Sequence, residues 1–397
     1  MLGWMNKSGE TAKDLKETLV ALSFSTFGVL LTGIIIGSFT DSFRDFPALL
    51  ILIPPAIDMR GNIFASLGSR LGTYLHTGEV SIDKKSEILN ENIFSSFNLT
   101  FSMSFYLGFL VWVIASYIGN NLSLISIILI SYLAGFLSAV VMTLFTFTIA
   151  FASYRKGWNP DNVTAPLITL AGDIFTLPFL LLSFNIVIKI GEGYQMFMLL
   201  IFILATVASF YPLKMENFRR IVIESFPVFI ICGLLSSLSG NILGSHSHIL
   251  VNYATILVIL PAFLEDGGAI GGILSARFSS ALHTGEIKYG KIPKKVLRVF
   301  LDMHLIGAIV FPIIGIFGYL IGMFFSFNVN VIKIVMISFI AGELLIFIVN
   351  LLSFYISTVS FKMGINPDNV AIPILTSLMD FVGTACLIGV AFILGFA

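Results

Sequence analysis

Asn159-Pro160-Asp161-Asn162-Val163, followed by Pro166, Thr169 and Asp173, returns further down the chain as Asn366-Pro367-Asp368-Asn369-Val370, followed by Pro373, Thr376 and Asp380. The offset is 366 minus 159, or 207 residues. The same offset carries His76-Thr77-Gly78-Glu79 onto His283-Thr284-Gly285-Glu286. It also carries Glu17 to Glu224, Pro54 to Pro261, Asp58 to Glu265 and Arg70 to Arg277, with no gap between those points. Solenoid units are far shorter, about 20–50 residues. The chain therefore holds a duplicated domain and is a covalent pseudo-dimer. Anything on its pseudo-symmetry axis is built from both halves.

Composition sets the class. Apolar residues make up 57% of the 397 residues and charged residues 11%, with a mean hydropathy of +0.99. A soluble domain carries about 25% charged residues. Apolar runs of membrane-spanning length recur along the whole chain. The formal net charge is zero, which points away from a nucleic-acid partner and leaves the lipid bilayer as the surroundings. Cys232 and Cys386 both fall inside apolar runs and read as small buried hydrophobes, not as a disulfide or metal pair. The first 16 residues are polar, and the first apolar run continues as an ordinary span, so no cleavable signal peptide is expected.

Eleven spans are expected, roughly at 18–39, 48–76, 93–118, 122–152, 161–188, 194–213, 221–243, 250–282, 298–325, 331–359 and 368–395. With the N-terminus inside, inner segments collect Lys84, Lys85, Arg155, Lys156, Lys214, Arg219, Arg220, Lys294, Lys295 and other bases. Outer segments hold only Arg44 and Lys189. That asymmetry follows the positive-inside rule and places the N-terminus in the cytoplasm and the C-terminus outside the cell membrane. Two five-span repeats joined directly would be inverted. The sixth span, which has no counterpart, restores one orientation to both. The expected fold is an all-α polytopic membrane protein with two parallel five-helix repeats joined by a linker transmembrane helix. The boundaries are 1–190 for the first repeat, 191–216 for the linker and 217–397 for the second repeat.

Ionisable groups in a bilayer cost about 2.5–3.5 kcal/mol each on insertion scales, so they are used, paired or hydrated. Asp58 in span two and Asp173 in span five both fall near mid-membrane, and the duplication puts Glu265, Asp266 and Asp380 at the same depth. Arg60 is close enough in sequence to neutralise Asp58, but its counterpart is Gly267. A layer of five carboxylates calls for a cation. Carboxylate and carbonyl oxygens suit hard ions such as Mg2+, Mn2+ or Ca2+, and no His/Cys cluster stands at that depth to hold a softer metal.

The backbone near these acids is unusual. Pro54-Pro55 with Gly61-Asn62, and Pro261 with Gly267-Gly268, predict interrupted spans with carbonyls freed from the helical ladder. A kink made only for close helix packing is the alternative. Asn159-Pro160 reads as a helix start, with Asp161 complementing the dipole. Asp161 and Asp368 also qualify as an inner vestibule for cations. His76 and His283 read as headgroup anchors at the end of span two, with a gating or pH-sensing role as the alternative. His246 and His248 have no duplicates and read as surface residues. Glu343, opposite Phe136 in the duplication, is assigned no role.

These residues resemble a known family. The segment from Pro54 to Asn62, the stretch from Arg70 to Gly78 and the Asn-Pro-Asp-Asn motif with Pro166, Thr169 and Asp173 are similar to the MgtE magnesium channels and the related solute carrier 41 transporters. The resemblance covers nearly the whole chain, both repeats included. It implies five-span domains paired in parallel around a central Mg2+ pathway. By position it implies that Asp173 and Asp380 face that pathway and bind hydrated Mg2+. Asp58 with Gly61 and Asn62, and Glu265 with Gly268, would line the same site, and Asp266 adds a further acid. Thr169 and Thr376, from the span-five motif, complete the candidate lining. Asn62 becomes Ala269 in the second repeat, so the halves contribute unequally. With only 17 residues before the first expected span, no counterpart of the bacterial channels' cytosolic regulatory domains is expected.

The expected function is therefore divalent cation (Mg2+) transport, and not enzyme activity, by a single chain acting as a pseudo-dimer, with higher oligomers left open. An inside-negative potential supplies about 2.3 kcal/mol per charge per 100 mV, enough to drive passive entry of a divalent ion. The alternative is an exchanger coupled to Na+ or H+. An intramembrane aspartyl protease also needs two mid-membrane aspartates, but Gly172-Asp173 is duplicated as Met379-Asp380, which breaks that motif. A transporter for an anion is disfavoured by the shortage of mid-membrane bases.

Overall fold

The structure is a computed structural model. It describes residues 26, 28–77, 79–80, 86–119, 122–155, 160–283, 285, 287, 293–327, 330–363 and 367–395. The side chains of 40, 41, 73, 76, 77, 160–166, 249, 276, 279, 280, 283 and 367–373 also lie outside the description. The expected vestibule acids Asp161 and Asp368 and the anchors His76 and His283 therefore fall outside the described side chains, as does Asn159.

Every described element is helical. A short apolar helix, α1 (Gly28–Ser38), is followed by α2 (Thr40–Asp45), α3 (Pro47–Thr77), α4 (Glu87–Ser116), α5 (Leu124–Arg155) and α6 (Pro160–Val187). The linker helix α7 (Glu192–Ser209) ends in a 3₁₀ turn, Tyr211–Lys214. Then come α8 (Glu216–Ser245), α9 (Ser247–Asn252), α10 (Ala254–His283), α11 (Lys294–Phe324), α12 (Val331–Lys362) and α13 (Pro367–Ile393). Among the described residues, ten helices are long and apolar enough to cross a membrane, and the first expected span contributes the shorter apolar helix Gly28–Ser38. The chain is a multi-pass membrane protein.

Pro160 and Pro367 are the first residues of α6 and α13, where a missing N–H costs nothing and a fixed φ suits the first turn. Span two departs from its expected interruption. α3 runs as one helix through Pro54, Pro55, Gly61 and Asn62, and α10 runs through Pro261. A proline removes one donor and crowds the carbonyl four residues back, costs that surrounding helices can absorb. In α3 the carbonyls that lose their donors are those of Leu50 and Ile51, and both residues are buried.

The chain divides into two compact units, and the division does not follow the repeat. One unit holds Asp45–Ser245: spans two to five of the first repeat, the linker, and α8, which is the first span of the second repeat. The other joins the segment up to Arg44, with α1, to His246–Ala397. Each repeat has thus lent its first helix to the other. Glycines seat both lent helices. A Cβ on Gly240 would collide with the Ile51 carbonyl, one on Gly244 with the Ile51 side chain, one on Gly33 with the Val258 carbonyl and one on Gly37 with the Val258 side chain. Gly33-x3-Gly37 and Gly240-x3-Gly244 stand 207 apart, as do Ile51 and Val258. Small residues four apart let helix backbones touch where lipid supplies no hydrophobic drive.

The linker helix α7 lies on α4 and α5 of its own unit. Phe202 stacks on Tyr132 at 5.1 Å, Asn98 donates to Ser209 at 2.8 Å, and the Tyr132 hydroxyl meets Thr206 at 2.9 Å. Near its N-terminal end the Gln195 side chain accepts from Ser126 and donates to the carbonyls of Val187 and Ile190.

Candidate cation site

Within the unit formed by Asp45–Ser245, α3 and α6 meet glycine on glycine. A Cβ on Gly172 would stand 3.2 Å from the Gly61 nitrogen, and one on Gly61 would stand 3.4 Å from the Thr169 methyl. Asp173 follows Gly172 directly and is 7% exposed. Asp58 lies one turn before Gly61 and is half-buried, as are Asn62 and Thr169. The close approach of two small residues thus brings the acids of spans two and five to one part of the unit. Asn62 donates from Nδ2 to Asp58 Oδ1 at 2.9 Å, an i, i+4 bond along one helix face. Ser236 of the lent helix α8 donates to Asp58 Oδ2.

The other unit repeats the contact with different packing. Gly268 of α10 faces Thr376 of α13, with 3.7 Å to a Cβ placed on the glycine. Met379 replaces Gly172, and Gly271 replaces Phe64, so one large and one small residue have changed sides; a Cβ on Gly271 would stand 3.7 Å from Met379 Cγ. Glu265, Thr376 and Asp380 are half-buried. Asp266 takes the position of Met59, is fully buried, and accepts a hydrogen bond from Thr26 at 2.7 Å. It therefore points toward the lent N-terminal segment, on a different helix face from Glu265.

Arg60 does not neutralise Asp58. Its guanidinium turns to the opposite side of α3, where Nη2 donates to Ser104 at 3.0 Å and Nε and Nη1 have no hydrogen-bond partner. Gly135 makes room for it: a Cβ there would stand 3.2 Å from Nη2. Glu343 also has a definite partner. His304 Nδ1 lies 2.6 Å from Glu343 Oε2, joining α11 to α12 at positions held by Phe97 and Phe136 in the first repeat. The roles of Ser236 and Thr26 are not legible in the sequence because each meets its acid from a segment far away in the chain, and His304 has no histidine at its duplicate position, Phe97. Hydroxyls inside apolar spans were the available signal. Among the described residues no three His, Cys, Asp or Glu side chains converge to chelate an ion.

Two stretches, 53–183 and 260–390, match the family model described as MgtE, divalent cation transporter, and together they take up more than half of the chain. The chain belongs to the MgtE family. Its two matched stretches begin 207 residues apart, the offset of the repeat. Solute carrier family 41 member 3 of Rattus norvegicus is 25% identical over 400 residues, spanning 94% of this chain and 85% of that protein. Solute carrier family 41 member 2 of Xenopus laevis is 26% identical over 406 residues, with 94% and 70% covered. The Homo sapiens member 2 is 24% identical over 408 residues, with 94% and 69% covered. No solved structure matches the chain. The MgtE family is one of transporters and not of enzymes, so divalent cation transport is the activity of this chain and the aspartyl protease alternative falls away.

Proposed function

We propose that the transported ion is Mg2+ and that it moves along a pathway between the two repeats. Asp58, Asn62, Gly61, Thr169 and Asp173 would line it from one repeat, and Glu265, Gly268, Thr376 and Asp380 from the other. One observation carries this reading: in each unit a close contact between spans two and five sits beside a half-buried span-two acid and the span-five aspartate, and the two sets are 207 residues apart. Mg2+ sheds water reluctantly, so it needs no all-protein cage. Carboxylates, an amide and threonines suit the waters of a hydrated ion. Asp266, turned to Thr26, would contribute field and not contact. Asp161 and Asp368 would attract the ion at the inner mouth. A single chain supplies both walls, with its N-terminus cytoplasmic, its C-terminus outside and its repeats parallel. The repeats run 1–190 and 217–397, with 191–216 as the spacer that makes the parallel arrangement feasible.

The test is Mg2+ flux in liposomes with Asp173→Asn combined with Asp380→Asn, in the presence and absence of a Na+ gradient. Flux should fall to the leak of empty vesicles. Undiminished flux in the folded double variant would reject the site.

A further inference from the structure

Both oxygens of the Asp58 carboxylate are held by protein donors, Oδ1 by Asn62 and Oδ2 by Ser236. Ser236 is fully buried and sits on α8, a helix lent by the other repeat. Neither donor has an equivalent. The positions 207 residues away are Ala269 for Asn62 and Val29 for Ser236, and neither side chain can donate. The span-two acid is also one methylene longer in the second repeat, Glu265 against Asp58. We propose that Ser236 and Asn62 are positioning residues that fix the Asp58 carboxylate for outer-sphere contact and so select Mg2+ over Ca2+. This rests on the reading of Asp58 as part of the cation pathway.

The physical argument is one of lone pairs. An ionised carboxylate has about four acceptor positions, two on each oxygen. Bidentate chelation of a metal uses both oxygens at once and needs the carboxylate free to turn toward the ion. A donor fixed on each oxygen opposes that turn, and charge-assisted bonds of this kind are the strong ones. Ca2+ takes carboxylates mono- or bidentate in flexible geometry, whereas Mg2+ keeps several of its waters. Anchored in this way, Asp58 acts on a hydrated ion through the ion's own waters. It is a poor chelator for an ion that enters by losing water. Neither donor recurs in the second repeat, so this particular pair of bonds belongs to the first.

The experiment measures Ca2+ and Mg2+ flux separately in liposomes holding purified protein, and reads the ratio of the two. For Ser236→Ala combined with Asn62→Ala, the Ca2+ to Mg2+ ratio should rise about tenfold, the low end of what losing an outer-shell partner does at a metal site. Ser236→Thr, which keeps a hydroxyl, should hold the wild-type ratio. In an Asp58→Asn background, Ser236→Ala should change the ratio no further, because its effect acts through that carboxylate. An unchanged ratio in the folded Ser236→Ala/Asn62→Ala variant overturns the proposal, as does an equal rise with Ser236→Thr or an additive effect in the Asp58→Asn background. If the paired alanine variant does not purify as a single species, Ser236→Ala alone decides, with a rise of severalfold required. Wild-type Mg2+ flux that is abolished by the Asp173/Asp380 variant, together with an unmoved ratio, would remove the positioning role and leave the pathway standing. Wild-type protein that moves neither ion would remove both.

Discussion

Gly240 of α8 lies on the backbone carbonyl of Ile51, so close that no side chain fits between them. The contact is repeated by Gly33 of α1 on Val258 of α10. Ile51 is also one of the two residues whose carbonyl loses its helical donor to the Pro54-Pro55 pair. The bare glycine backbone is what lets the lent helix reach that point, and through it Ser236 reaches Asp58.

Gly240→Val should destabilise the protein, since overpacking costs about 1–3 kcal/mol and here the obstacle is backbone. Gly33→Val should behave the same way. Gly191→Val, where nothing lies within 4 Å of the added carbon, should be silent. Thermal unfolding of the detergent-purified variants, followed by size-exclusion, checks all three. Equal melting for Gly240→Val and Gly191→Val would contradict the seating argument.

Arg60 is a fully buried cation with a hydrogen bond to Ser104 and two idle donor nitrogens. Replacing buried charges with well-packed apolar residues is often neutral or stabilising by about 1–4 kcal/mol. Arg60→Met should therefore melt at or above the wild-type temperature. Gly135→Ala should melt below it, because the new methyl would meet the Ser104 hydroxyl and the guanidinium.

The His304–Glu343 pair can be tested against the repeat's own alternative. His304→Phe leaves a carboxylate without its partner in an apolar setting, at a cost of up to about 2.5–3.5 kcal/mol. Adding Glu343→Phe restores the pair found in the first repeat, Phe97 and Phe136, and should recover most of that loss. A double-mutant cycle on thermal stability reads the coupling, and strict additivity would mean the 2.6 Å contact contributes nothing.

Gln195 ties α7 to α5 and to the end of α6 through three hydrogen bonds. Gln195→Leu leaves buried acceptors behind, each costing about 1–3 kcal/mol. Amide hydrogen exchange should rise in residues 188–195 while α3 stays protected. Unaltered exchange there would show that apolar packing alone holds the linker.

Much of the molecule is legible without coordinates. The 207-residue echo, the apolar runs and the placement of Lys and Arg together imply a duplicated polytopic protein, and the mid-membrane acids imply a cation. Helix starts at Pro160 and Pro367 follow from local chemistry. The prolines of span two mislead, because their local preference for a break is overridden by packing around α3 and α10. Arg60 misleads for a related reason. It stands two residues from Asp58, and positions two apart on a helix point to nearly opposite sides.

Sequence by itself determined the repeat, the helical class and the identity of the acids, since these depend on composition and on periodicity along one chain. Tertiary structure decided which first helix packs with which repeat, and hence that Ser236 serves Asp58 while Thr26 serves Asp266. The contacts that seat the exchanged helices, at Gly33 and Gly240, join segments some 200 residues apart, which no local pattern encodes.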